Sequence, residues 1–238
     1  ERGGAHWNPV LCRSPRGVVH LFYKAGADVP GWVTRVMSSP DGGRSWGAPR
    51  ELAALDGFPP GPVKDKAIVL ADGTWLAPTS RETATTWDAA VTMSRDDGAS
   101  WQLGGVVPLD HGSFRGKGVI QPTLWESAPA RVHMLLRSSA GRIYRSDSSD
   151  GGASWSRAYA TALPNNNSGI DLDRLPDGRL ARTHYSANAT PCHRDRREAG
   201  LVIIARPSQE TAAPARSPSS RPAPDAGRPR PSRWRNGR

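Results

Sequence analysis

SPDGGRSW at Ser39–Trp46, SRDDGASW at Ser94–Trp101 and SSDGGASW at Ser148–Trp155 share the pattern S-x-D-x-G-x-x-W. Their first residues are 55 and then 54 positions apart. One such octet is weak evidence, whereas three in nearly constant register mark a structural repeat. The octet suits a hairpin turn. Its Asp can accept from amides of its own turn, and its Gly tolerates positive φ. Its Trp offers a large apolar surface to bury between neighbouring units. A residue repeated once per unit lies around a rim, not where units converge. Asp41, Asp96 and Asp150 therefore read as turn-forming carboxylates rather than catalytic groups or calcium ligands.

A second signal runs between the octets. PRGVVHLFYK (15–24), ADGTWLAPTS (71–80) and PDGRLARTHY (176–185) each set a glycine turn before an apolar strand. ARVHMLLRSS (130–139) holds the same phase without the glycine. Gly17 precedes Ser39 by 22 residues, and Gly73 precedes Ser94 by 21. Each unit reads strand, turn, strand, loop, strand, octet turn, strand, and no long segment has a helical period. Four strands per unit of about 45–55 residues make a β-propeller blade, so the fold class is all-β.

The repeat also predicts its own failure. An octet following Gly178 is due near Gly200, where the sequence reads AGLVIIARPSQE. The expected division is a partial propeller over residues 1–185 and an Arg/Pro/Ala-rich tail over 186–238, either disordered or read out of frame. The net charge of +10 points in the same direction. Residues 182–238 hold 12 Arg and 4 acidic residues, a balance of +8, which leaves about +2 for the other 181. A phosphate-binding surface places its charge on the folded part with aromatics interleaved, so no nucleic-acid partner is expected.

Other classes fall away on composition. No apolar run reaches the 18 residues that would suggest a membrane span. Cys12 and Cys192 are too few for a disulfide scaffold, and the six histidines show no metal spacing, so no metal or cofactor is expected.

The octets, with GPVKDK (61–66), GVIQPTL (118–124), LLRSSAGRIYRSDSSDGG (135–152) and LPNNNSGIDLDRLPDGRL (163–180), resemble the BNR/Asp-box sialidase-like family. The resemblance spans about Asn8 to Leu180. It implies a sialidase-like β-propeller, six-bladed in the family, of which three to four blades are expected here and blades at both ends are missing. It also implies an exo-acting glycoside hydrolase whose partner is the terminal, acidic sugar of a glycan. In that family three Arg bind the substrate carboxylate, an Asp is the acid/base, and a Tyr activated by a Glu is the nucleophile.

Matched position by position, Arg137 stands at the family's second Arg. Gln121 stands sixteen residues earlier in place of the Glu, Lys24 after Tyr23 in place of the Asp, and Gly169 in place of the Tyr. The alternative is a carbohydrate-binding or scaffolding propeller without catalysis. Glu82, ending a strand, reads as a general acid/base or as a solvated carboxylate. Lys64 and Lys66 alternate with Asp65, so they share one face of an extended segment, toward an anionic sugar or toward solvent. Arg137 lies in an apolar strand, where a charge needs a ligand carboxylate or an ion-pair partner. Asn167 and Asp171 contact sugar hydroxyls or shape a turn. If one site exists, Lys24, Lys64, Glu82, Gln121 and Arg137 converge.

Overall fold

The computed structural model describes residues 4–175, 177, 179–185 and 199–204. Four antiparallel sheets follow one another along the chain. The first holds β1 (His6–Arg13), β2 (Val19–Ala25), β3 (Val33–Ser39) and β4 (Arg50–Leu52). The second holds β5 (Ile68–Val69), β6 (Trp75–Glu82), β7 (Trp87–Ser94) and β8 (Gln102–Val106). The third holds β9 (Val119–Ala128), β10 (Arg131–Ser138), β11 (Arg142–Ser148) and β12 (Tyr159–Pro164). The fourth holds β13 (Asp171–Arg174), β14 (Leu180–Tyr185) and β15 (Ala199–Ile204). This is a partial propeller of three four-stranded blades and a three-stranded fourth.

Each octet closes the hairpin between the third and fourth strands of its blade. Asp96 Oδ1 accepts from the Ser100 amide at 2.8 Å and the Ser94 hydroxyl at 2.7 Å, and Oδ2 accepts from the Ser100 hydroxyl at 2.6 Å. Asp41 and Asp150 repeat the arrangement. Hydrogen bonds from Ser100 and Ser154 hold Asp96 and Asp150 down at about 2. These carboxylates are saturated by their own turns, as the repeat argument requires.

The tryptophans explain how blades stack. Trp101 meets Phe22 of the preceding blade edge-on, with ring centroids 5.8 Å apart. Trp155 covers Gly105 of β8 so closely that a Cβ there would overlap the ring. Trp46 belongs to the first sheet, has no preceding sheet among the described residues and stays half-exposed. Three apolar clusters fill the spaces between consecutive sheets. One joins Phe22 and Val36 to Trp75 and Ala77, the next joins Leu76 and Val91 to Val132 and Met134, and the last joins Trp125 and Leu135 to Leu172 and Leu180.

Strand pairing extends the repeat beyond what spacing alone gives. The octet's first Ser sits opposite an early residue of the second strand: Val19 faces Ser39, Trp75 faces Ser94 and Val132 faces Ser148. In the fourth blade Leu180 faces Ile204, so Ile204 stands where the Ser is due. The expected position near Gly200 was early because thirteen residues separate β14 from β15, against seven between β2 and β3. β15 also lies past the boundary drawn at residue 185. The octet-less sequence from Ala205 on is outside the described residues.

Candidate functional site

Pairing registers place one residue of each blade at matching heights. Lys24, Ser80, Arg137 and Tyr185 each lie five residues after the matching starts Val19, Trp75, Val132 and Leu180. The inner strands show a matching irregularity. Register shifts between Trp7 and Val10, and opposite Leu135–Arg137, enclose Asn8 and Gln121. Both are left-handed, with φ of 47° and 52°. Lys64, with φ of 70°, takes the equivalent place before β5, and Gly169 takes it before β13. Left-handed backbone at side-chain-bearing residues costs about 1–2 kcal/mol each and gathers at functional sites. These positions lie at the same end of the strands in consecutive blades.

Arg137 is the centre of that end. Its Nη1 donates to Gln121 Oε1 at 2.9 Å and its Nε to Asn167 Oδ1 at 3.0 Å. Its guanidinium lies 5.4 Å from the Trp87 ring centroid, and the Lys117 ammonium lies 5.7 Å from the same centroid. Both residues that hold Arg137 are neutral amides, and it forms no salt bridge among the described residues. Glu82 faces Trp87 across the β6–β7 pair. Burial raises the Glu82 carboxyl above its ordinary value, against the pull of Arg137 and Lys117. Glu82, Gln121, Arg137 and Asn167 therefore come together. Glu82 is half-buried rather than a fully solvated strand end.

The remaining candidates surround this centre at different depths. Lys64 passes over Gly169 with no room for a Cβ beneath its Nζ, which sets it beside the loop that carries Asn167. That loop is shaped by the buried Asn165, whose Nδ2 donates to Ser168 O at 3.0 Å and whose Oδ1 accepts from the Asn167 amide at 3.1 Å. Lys66 is two residues further along and donates to Asp171 Oδ2 at 2.8 Å, with Asp173 at 3.8 Å. Lys66 and Asp171 are thus engaged with each other. Lys64 is not extended, so the expected alternation begins only after it, yet both lysines reach the 169–171 segment. Asp65 between them is 2% exposed, its Oδ2 has no hydrogen-bond partner, and burial raises its carboxyl well above the usual range.

Lys24 is 1% exposed and donates to Thr34 Oγ1 at 2.5 Å. Burial pushes its amine down to about 7. It lines a cavity of about 470 Å³ together with Trp32, Val63, Ser80 and Glu82. Ser80 Oγ accepts from the Gln121 amide at 2.7 Å, which joins this cavity to the Arg137 centre. Trp87, Lys117, Ser80, Asp65 and Asn165 were missed in the sequence reading. Ser80 had a legible signal: it lies seven residues after Gly73, as Lys24 lies after Gly17 and Arg137 after Ala130. Among the described residues no group of three or more His, Cys, Asp or Glu could hold a metal, Cys12 is a buried free thiol, and no helix is long and apolar enough to cross a membrane.

The family model for the BNR repeat-like domain matches residues 1–212. The chain belongs to this family. A protein of unknown function from Dyadobacter fermentans is similar at a TM-score of 0.65 and 15% identity, over 78% of this chain and 58% of that one. The Hadza microbial sialidase Hz136 is similar at 0.60 and 14%, over 76% and 40%. Trypanosoma rangeli sialidase, solved in complex with sialic acid, is similar at 0.56 and 16%, over 76% and 34%. These likenesses show the sialidase-like fold. The chain spans between a third and three fifths of the length of these structures. Comparison with curated proteins gave no match.

Proposed function

We propose that this BNR-family chain carries a sialidase-like glycoside hydrolase site that takes a terminal, acidic sugar of a glycan. The observation that carries the proposal is Arg137, a half-buried guanidinium held by two neutral amides at 2.9 and 3.0 Å. Its charge is oriented without a direct ion pair among the described residues, with Glu82 acting on it only at longer range, and its other N–H groups remain for the two oxygens of a sugar carboxylate. Lys117, over the same Trp87 ring as Arg137, adds positive charge beside it. Glu82 keeps its proton further toward neutral pH than a free carboxyl does. It is the group suited to protonate the leaving-group oxygen as the glycosidic bond breaks.

Gly169 at the family's nucleophile position leaves attack to water. The water oxygen bonds to the anomeric carbon as the glycosidic bond breaks, and Glu82 gives its proton to the leaving-group oxygen. The proton of the attacking water passes to solvent, from which Glu82 is reprotonated. Gly169 and Gln121 also favour a second reading, a carbohydrate-binding propeller without turnover. A panel of fluorogenic α-sialosides and neutral glycosides separates the two, combined with titration calorimetry on free sialic acid. The first reading predicts turnover of sialosides only, lost in Glu82→Gln with binding retained and lost in Arg137→Ala together with binding. Binding without turnover supports the second reading. Neither binding nor turnover refutes both.

A further inference from the structure

A second constellation lies on the third sheet, four residues along β10 from Arg137, or about 13 Å at strand spacing. Ser127 on β9, His133 on β10 and Asp147 on β11 occupy successive strands, and His133 faces Asp147 in register. His133 Nε2 lies 2.8 Å from Ser127 Oγ, and His133 Nδ1 lies 2.5 Å from Asp147 Oδ1. A carboxylate oxygen that close to Nδ1 requires the proton there, so Nε2 is left as the acceptor for the Ser127 hydroxyl. Arg145 Nη2 also approaches Nδ1, but at 3.3 Å it does not compete.

The supporting contacts fix the ring. Arg145 Nε donates to Asp147 Oδ1 at 2.9 Å, and the Tyr159 hydroxyl donates to Oδ2 at 2.8 Å. Burial alone would raise the Asp147 carboxyl, but the bonds from His133, Tyr159 and Arg145 bring it down to about 2. Trp125 stacks on the imidazole, with centroids 5.0 Å apart and planes 29° from parallel. A nucleophile, a base and a group that orients the base are the three parts of an activated serine. Ser127 is half-buried at the end of its strand. Trp125 and Glu126, just before it, line a cavity of about 370 Å³ with Lys66 and Arg174. Arg174 Nη1 approaches the Glu126 carbonyl at 3.4 Å, so a guanidinium stands beside the residue preceding Ser127.

We propose that Ser127, His133 and Asp147 form a second hydrolytic site, separate from the Arg137 centre, that cleaves short-chain carboxylic esters. Ser127 Oγ bonds to the ester carbonyl carbon as its proton passes to His133 Nε2. The bond to the alcohol oxygen then breaks, and that oxygen takes the proton from His133. Water attacks the acyl-serine with His133 again accepting a proton, which returns to Ser127 Oγ as the carboxylic acid leaves. Asp147 holds the imidazole and stabilises its charged form, as in the serine triads built on unrelated folds.

The test treats the protein with a fluorophosphonate probe and locates the adduct by peptide mass spectrometry, alongside hydrolysis of p-nitrophenyl acetate. The expected result is one adduct, on Ser127, with labelling and ester hydrolysis reduced at least tenfold in Ser127→Ala and in His133→Ala. Thermal unfolding of Ser127→Ala close to wild type shows that the loss is not misfolding. Tyr159→Phe is a milder second variant and is expected to lower labelling without abolishing it. An unlabelled wild type, an adduct on another residue, or labelling unchanged in Ser127→Ala overturns the proposal.

Discussion

Replacing Lys24 by Met removes the ammonium of a side chain that is 1% exposed and whose one hydrogen bond goes to Thr34 Oγ1 at 2.5 Å. In the unfolded chain this amine takes its ordinary value near 10.5, whereas in the fold burial lowers it to about 7. Between those values the unfolded state binds more protons, so wild-type stability rises with pH across that window. Below about 7 the fold carries the whole cost of a buried cation. The gap of about 3.5 pH units, at about 1.4 kcal/mol each, sets a ceiling of about 5 kcal/mol. The lost Thr34 bond offsets about 1 kcal/mol of this. Lys24→Met is therefore expected to be more stable than wild type by a few kcal/mol at pH 6. The difference shrinks through pH 8 and 9 and closes near 10.5. Urea unfolding of both proteins at these pH values measures it, and titrations common to the two cancel in the difference. A difference that stays constant from pH 6 to 10 refutes the reasoning, because it means Lys24 titrates as an exposed lysine.

Trp155→Ala is expected to cost about 3–5 kcal/mol by opening the contact between the second and third blades, whereas half-exposed Trp46→Ala costs less; thermal unfolding compares them. Ala130 stands where other blades use glycine and has φ of 61°, so Ala130→Gly is expected to stabilise the fold by up to about 1 kcal/mol, read from the urea midpoint. The octet carboxylates Asp96 and Asp150 are held at about 2 in the fold. Their contribution is present above the ordinary carboxyl value and is lost as pH falls through about 2. Asp96→Asn is expected to flatten acid unfolding below pH 4 as followed by circular dichroism.

The blades were legible because their signals are local and repeated. An octet that saturates its own Asp and a turn before an apolar strand need no tertiary information, and both survive in three sheets. The missing octet was legible as an absence, but its position was not, since the pairing of Leu180 with Ile204 depends on the length of the β14–β15 connection. The site was legible only in part. Arg137 and Gln121 could be named from motif position, and they do meet at 2.9 Å. That Lys66 is engaged by Asp171, and that Lys24 is buried against Thr34, depend on how separate blades face one another. Trp87 and Lys117 carry no motif and enter only through the bridge that pairs Trp87 with Gly118. The His133 cluster was invisible for the same reason, since it joins three strands whose alternation reads as ordinary sheet.

The central claim is that Arg137, positioned by Gln121 and Asn167, receives the carboxylate of a terminal sugar. Titration calorimetry of sialic acid against wild type, Arg137→Ala and Arg137→Lys, each at two salt concentrations, tests it most directly. The account predicts binding by wild type that weakens with salt and at least tenfold weaker binding in Arg137→Ala. Arg137→Lys should recover only part of the affinity, because an ammonium cannot form the bidentate fork. Equal affinity in wild type and Arg137→Ala, or no binding by any of the three, contradicts it.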